Sequence, residues 1–356
     1  MTKRKDIRGL LFYAKKFQSS LLSYNDDWFD AFNKYAPANF DYCNLADRSW
    51  PFILPKLRKY DLIVLLHSTI SNSCYVNPLI AKALQYRKGK LVIFIGNEYK
   101  LMPEKINLIK KIDADYVASQ FTQDIAYWLY AETNATVLSV PHALNPEAFK
   151  PIKSQEERTI DIGARYYEYP WYLGDRERVE IHEFFLNNVP KLKLDISSNP
   201  ADRFQRKGWA NFLNNCRGTI STEAGSSFLE RDDHTRKQLN AFMNENPEID
   251  FKTVHKRFFA DYADPASGKA ISSRHFDVIG TKTCQIMFPG RYNDILQPNE
   301  HYIALDRDFS NIDDVLERFG DDEYRENMVH SVREYALDAH THRHRIECLF
   351  QNVQVC

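Results

Sequence analysis

The sequence lacks most of the signatures that usually declare a function. Its six cysteines, at positions 43, 74, 216, 284, 348 and 356, form no CxxC pair. That excludes a zinc knuckle and a disulfide framework, and makes a reducing, cytoplasmic compartment the simplest reading. No GxGxxG follows the first expected strand, so the standard dinucleotide fingerprint is missing. No Asp-x-Asp pair stands where it would hold a metal ion, and no cofactor is implied. Long apolar runs are scarce at the start: MTKRKDIRGLLFYAKKF is basic, with an apolar stretch of only about five residues. It reads as neither a signal peptide nor a membrane span. Excess charge is missing too, with 47 basic against 48 acidic residues. That argues against a nucleic-acid partner and leaves open only a local basic cleft.

What the chain does have is size and alternation. Its 356 residues fit two domains of roughly 150–200 residues each. Tyr and Phe number 20 and 23, which suits sugar-facing clefts, although most such rings pack in cores and boundaries. Strands are expected at 9–13, 61–66, 91–95, 114–118 and 136–140. Helices are expected at 27–34, 75–85, 106–112 and 121–130. Strands alternating with helices at this spacing mean a parallel α/β sheet. Polar residues sit at the strand ends, where open α/β sheets place ligands: His67 after DLIVLL, Glu98 after LVIFIGN, and His142 after Val140-Pro141.

The proline-rich, polar stretch 141–157 (PHALNPEAFKPIKSQEE) has the composition of an interdomain crossover. A second α/β series follows. Its first strand, 158–163, leads into Arg165 and then into Gly174-Asp175-Arg176-Glu177-Arg178. A glycine turn, arginines and a helix start together form a reasonable phosphate site. The strand 218–222 ends at Glu223. Residues 229–263 interrupt the alternation with two helical runs, which suit a lid or acceptor-side insertion as well as solvent-facing packing. Several of these residues have plain alternatives: a hydrogen-bonded structural histidine at His142, a solvated or capping acid at Glu223.

The chain is organised around 272–290, SSRHFDVIGTKTCQIMFPG. We read a helix starting near Arg274, with Phe276 and Ile279 inward, a small-residue turn, and a buried strand from Thr283 to Phe288. A strand at 301–305 and helices at 311–319 and 322–338 complete the series. The terminal run His340-Thr341-His342-Arg343-His344-Arg345 is rich in histidine but lacks the carboxylate and cysteine pattern of a metal site.

Arg274-His275-Phe276-Asp277, Gly280-Thr281, Thr283–Phe288, Tyr292–Leu296, His301–Leu305 and His340–Arg345 follow one another in a recognisable order. From Ser273 to Phe350 that order resembles the C-terminal part of glycosyltransferases of the GT-B fold, most closely the spore-maturation (CgeB-like) family. The first half resembles it only in its α/β pattern and in the joint Val140–Pro146. The resemblance implies two Rossmann-like domains facing each other across a cleft. Residues 1–145 would be the acceptor-side domain and 146–335 the nucleotide-sugar domain. Residues 336–356 would be a helix packing back on the first. It implies transfer of a hexose from a UDP- or GDP-linked sugar to a glycan or other hydroxyl acceptor, as in polysaccharide biosynthesis, without a metal. A membrane-borne acceptor would bring the protein to a membrane surface. An epimerase of the same fold and a non-catalytic carbohydrate-binding protein are the alternatives.

The family's acidic residue at this helix carries onto Asp277 as the ribose ligand, with Arg274 beside it. The family position for a basic diphosphate ligand carries onto Arg165, and Glu223, Thr281 and Lys282 complete the expected donor side. Two departures stand out: the family's acid is usually glutamate, so the shorter Asp277 must sit closer or use water, and Lys282 and Thr283 replace paired glycines. Lys269 stands where a related pattern has a further acid. An inverting mechanism would need a base, with His142, His67 and Glu98 as candidates; a retaining one would not.

Overall fold

Strands buried on both faces read as unbroken apolar runs, and the clearest such runs of this chain become central strands of two parallel sheets. The computed structural model describes residues 7–15, 22–47, 49–260, 262 and 266–354. The start of the basic N-terminal segment and part of the loop expected at 264–273 lie outside these residues.

The first half comprises β1 (Arg8–Tyr13), α1 (Ser23–Tyr35), β2 (Asn39–Asn44), β3 (Leu62–Leu65), α2 (Pro78–Gln85), β4 (Lys90–Phe94), α3 (Met102–Lys111), β5 (Tyr116–Ser119), α4 (Gln123–Tyr130) and β6 (Thr136–Ser139). Its strands form one parallel sheet in the order β2-β1-β3-β4-β5-β6. Every residue of β3 is buried. Helix α1 turns Trp28, Ala31 and Phe32 to the sheet at helical spacing. It begins four residues before the expected Asp27, because Ser23 and Tyr24 belong to its first turn. Helix α2 starts at Pro78 because the Asn77 side chain accepts from the backbone N–H groups of Leu79 and Ile80, both at 3.0 Å.

The second half comprises β7 (Ile160–Arg165), α5 (Glu177–Asn188), β8 (Leu194–Ser197), α6 (Arg206–Leu213), β9 (Cys216–Ser221), β10 (Ala224–Ser226), α7 (His234–Glu245), α8 (Phe251–Phe258), β11 (Gly268–Ala270), α9 (Ser273–Gly280), β12 (Cys284–Met287), β13 (Ile303–Ala304), α10 (Ile312–Gly320), α11 (Asp322–Ala339) and α12 (His342–Asn352). Its parallel sheet has the order β13-β12-β9-β7-β8. The order reverses between β7 and β9, and the carboxyl ends of strands at such a point form the ligand crevice of an open α/β sheet.

Two elements tie the halves together. The antiparallel hairpin β10–β11 carries α7 and α8 and pairs Ala224 with Ala270 and Ser226 with Gly268. Gly225 makes this pairing close: at φ +94°, a Cβ there would lie 1.9 Å from the Gly268 carbonyl oxygen. The hairpin places Leu229 and Ala270 in the apolar core of the six-stranded sheet, beside Phe121 and Tyr130. Asp233 accepts from the Leu101 N–H at 2.6 Å. Helix α12 crosses back and packs Ile346, Leu349 and Val353 against Leu11, Trp28, Val64 and Phe94 on the other face of that sheet.

The structure departs from the sequence reading at β2 and at the hairpin, neither of which was expected. The strand expected at 301–305 shortens to two residues, because the backbone at Asn299 and Glu300 turns to bond with residues 297–302.

Candidate active site

The strand ends of the two sheets face each other across a cleft of ≈ 190 Å³. Its first wall is built by Asn97, Glu98 and Tyr99 after β4, Gln120 and Phe121 after β5, His142 after β6, and Tyr24 of α1. Its second wall is built by Arg165 at the end of β7, Tyr167 and Tyr169, Arg178 of α5, Arg203, Phe204, Arg206 and Trp209 around the start of α6, and Arg274 and Asp277 of α9.

Five arginines therefore line one wall, and they divide into two kinds. Arg165 is committed to the protein. Its Nη2 meets Asp195 Oδ1 at 2.8 Å, its Nη1 donates to the Ala164 and Asp195 carbonyls, and its Nε donates to the Asp202 carbonyl. Its guanidinium also lies over the Phe212 ring, 4.3 Å from the centroid. Arg206 is likewise neutralised, by Asp27 at 2.9 Å and Asp30 at 2.6 Å. The other three have no carboxylate partner among the described residues. Arg274 donates to the Arg165 carbonyl at 3.0 Å. Arg178 lies over the Tyr169 ring at 3.8 Å, and Arg203 over the Tyr167 ring at 5.0 Å. Burial and the charges of Arg178 and Arg203 lower the pKa of Arg274. Three cations held together without counter-charge, where a strand order reverses, form a site prepared for a polyanion.

Asp277 is buried on the same wall. Its Oδ2 accepts from Trp209 Nε1 at 3.1 Å and, across the seam, from the Ser23 hydroxyl at 3.3 Å. Burial and then the charge of Asp27 push its pKa well above the usual carboxylate range. Asp27 itself accepts from Asn145 at 2.7 Å and rises to about 6, chiefly through burial.

The opposite wall carries no free charge. Burial first, then Arg345, lowers His142 to about 3, so its ring is neutral at physiological pH. Its Nδ1 accepts from Trp28 Nε1–H at 3.3 Å, which puts the ring proton on Nε2. Both oxygens of Glu98 are engaged, by the Tyr130 hydroxyl at 2.6 Å and the Gln120 N–H at 2.8 Å. Burial still raises its pKa.

Not every expected site residue reaches the cleft. His67 lies behind it, stacked on His142 at 5.6 Å and enclosed by Trp28, Phe94 and Tyr24. Its two ring nitrogens have no hydrogen-bond partner among the described residues. Glu223 turns away to hold the loop after β12, accepting from the Tyr292 N–H at 2.7 Å. Thr281 is buried and returns its hydroxyl to the carbonyls of Asp277 and Val278. Lys282 points to the far side, where its Nζ meets His330 Nδ1 at 3.1 Å. It nonetheless keeps φ at +53°, the conformation that suits the glycine it replaces. Lys269 is paired with Asp175 at 2.8 Å and Glu177 at 3.1 Å. Arg203, Trp209, Tyr167 and Ser23 were not singled out from sequence; no local motif marks them, and only the crossovers bring them to the cleft.

No protein-family model matches the chain, and no curated protein matches it in sequence. Solved structures do match in shape. An alpha-glucosyltransferase in complex with UDP and a 13-mer DNA has TM-score 0.62 and 10% identity, over 97% of this chain and 98% of that one. T4 phage BGT in complex with its UDP-glucose substrate has TM-score 0.54 and 13% identity, over 97% and 98%. HepE of Anabaena in complex with UDP-glucose has TM-score 0.53 and 8% identity, over 98% and 100%. The fold is GT-B. The two wall chemistries described above meet in the cleft between the two sheets. One of these neighbours is in complex with DNA, a property of that protein. Near-zero net charge averages over the whole chain and says nothing of a local face, as the five cleft arginines show.

Proposed function

We propose that the protein is a glycosyltransferase that moves a hexose from a nucleotide-diphosphate sugar to a hydroxyl of a glycan or small-molecule acceptor. The observation that carries this reading is the trio Arg178, Arg203 and Arg274, without a carboxylate partner among the described residues and gathered at the switch point of the second sheet. The neighbours' UDP and UDP-glucose favour a UDP-linked donor over a GDP-linked one.

In this reading the three arginines bind the diphosphate and take up its growing charge as the glycosidic bond breaks. Arg165 acts one step back: its carbonyl orients Arg274 while Asp195 neutralises its own charge. Asp277 accepts from the ribose hydroxyls. His142 presents Nε2–H to the sugar, as a donor and not a base. With Nδ1 of His142 occupied, His67 enclosed and both oxygens of Glu98 held, the first wall favours retention of configuration, which needs no protein base. Residues 1–145 serve the acceptor and 146–335 the donor, with 336–356 returning to the first domain. Kinship with the CgeB-like family is part of the same proposal and rests on residues 273–350. So is a cytoplasmic location.

Incubation with UDP-glucose and a panel of hydroxyl acceptors tests the proposal. Free UDP with a transferred sugar is the expected result. A changed sugar still joined to UDP would mean an epimerase. Binding without turnover would mean a carbohydrate-binding protein, and no binding of any sugar nucleotide would overturn the reading altogether.

A further inference from the structure

Acidic residues are spread along this chain except in one place. Between Asp47 and Glu98 the only carboxylate is Asp61, and it is engaged by the Arg8 N–H at 2.8 Å. This acid-free stretch builds an outer face of the first domain. After β2 the chain crosses to β3 through two 3-10 turns, Trp50–Phe52 and Leu54–Lys59. After β3 it crosses to β4 through α2. The two crossovers lie side by side, with Leu57 of one in the same apolar core as Ile80 and Leu84 of the other.

Outward, these crossovers expose Phe52 at 78%, Leu79 at 64% and Tyr86 at 64%. Leu79, Lys82 and Tyr86 recur at helical spacing along one side of α2 and its end. Around them stand the exposed cations Lys56, Arg58, Lys59, Lys82 and Lys88, none with an ion-pair partner among the described residues. Neighbouring carboxylates are already occupied: Asp41 by the Tyr60 hydroxyl, Asp115 by Arg87 and Lys90. The face has an orientation. Both crossovers start at the strand carboxyl ends that face the cleft, and the loop before α2 reaches Asn97 of the cleft wall through Asn72.

We infer that this face docks on an anionic lipid surface, with Phe52 and Leu79 entering the headgroup boundary and the five cations meeting lipid phosphates. Free cations over an acid-free ground match a negatively charged bilayer. Leu79 decides the partner class: an exposed aliphatic side chain gains from entering lipid, whereas a nucleic acid offers it no stacking partner. Docked this way, an acceptor carried by lipid comes within reach of the first domain. The inference does not rest on the identity of the donor.

The test is sedimentation of the full chain with vesicles of phosphatidylcholine, with and without 30 mol% phosphatidylglycerol. We expect binding only to the anionic vesicles. Replacement of Lys56, Lys59, Lys82 and Lys88 together by Gln should weaken it by about 100-fold or more, at roughly five-fold per cation. The pair Phe52→Ser and Leu79→Ser should weaken it by about ten-fold. Release of UDP from UDP-glucose in solution should be unchanged in both variants, showing that they fold. No binding to phosphatidylglycerol vesicles, or binding unaffected by either set, would overturn the inference. So would a higher affinity for a DNA duplex that the same Gln substitutions abolish.

Discussion

The two walls of the cleft solve different problems with the same architecture. Both are strand ends of parallel sheets. One is cationic, with three arginines that have no carboxylate partner among the described residues; on the other a histidine is held at a pKa of about 3 and an acid is fastened by two donors. The difference follows from what surrounds them. On the arginine wall, aromatic faces support the guanidinium groups without neutralising them. On the other wall, burial against Trp28 and Tyr24 makes ionisation costly. A wall that must stabilise a departing diphosphate keeps its charge; one that must position a neutral sugar suppresses it.

The comparison breaks most readily at Arg274. Arg274→Ala should weaken UDP binding by about 10–100-fold, the usual 1.5–3 kcal/mol for a hydrogen bond to a charged group, and uridine binding hardly at all. Calorimetry with both ligands checks this, and equal losses would remove the diphosphate role. The neutral wall is tested at His142. His142→Phe should lower turnover by about ten-fold while His142→Gln, which keeps a donor, should recover most of it. The turnover of the unmodified protein should show no ionisation of His142 between pH 5 and 8. An inflection near pH 6.5 lost in the Gln variant would mean that the histidine works charged.

The seam between the walls gives a smaller, pH-dependent effect. Asp27 has its folded pKa raised, to about 6, and Asp277 shifts the same way. Between pH 4 and 6 the folded protein therefore holds more protons than the unfolded chain, and stability falls as pH rises through that window. Asp27→Asn should flatten this part of the melting-temperature profile. An unchanged slope would show that Asp27 is not penalised by burial. The smallest effect belongs to Lys282→Gly, which should leave UDP affinity within about two-fold, as for a surface change away from the site.

Sequence reading worked where one physical signal dominated. Apolar runs such as Asp61–Leu66 marked buried parallel strands, and the alternation marked two sheets. It failed at β2, whose NFDYCN sits at a sheet edge with mostly outward side chains, so no run forms. It failed again at β10 and β11, three residues each, because a hairpin spanning 40 residues of insertion has no local pattern. In the site, the positions of Arg165, Arg274 and Asp277 on the cleft wall were legible from a strand end and a helix start, but Arg165, expected as a diphosphate ligand, is committed to Asp195. Arg178 was visible as part of a charged helix start. Arg203 and Trp209 come from the crossover between β8 and β9, and nothing in their neighbours says that they turn to the cleft. Lys282 misled because its position in the turn was read as a direction, whereas its left-handed backbone sends the side chain to His330.

Leu229 and Ala270 complete the core on one face of the first sheet, and Ile346, Leu349 and Val353 complete it on the other. These residues are synthesised long after the sheet they complete. A nascent chain that has emerged only through β6 has α1 on one face of the sheet and α2, α3 and α4 on the other, but leaves open the patches that these late residues cover. Such a chain cannot follow the usual domain-by-domain order, and the contacts that seal it span most of its length, which slows folding. The last helix is thus the closing step of the first domain, and a ribosome that stalls before residue 342 leaves an adhesive intermediate for chaperones to hold.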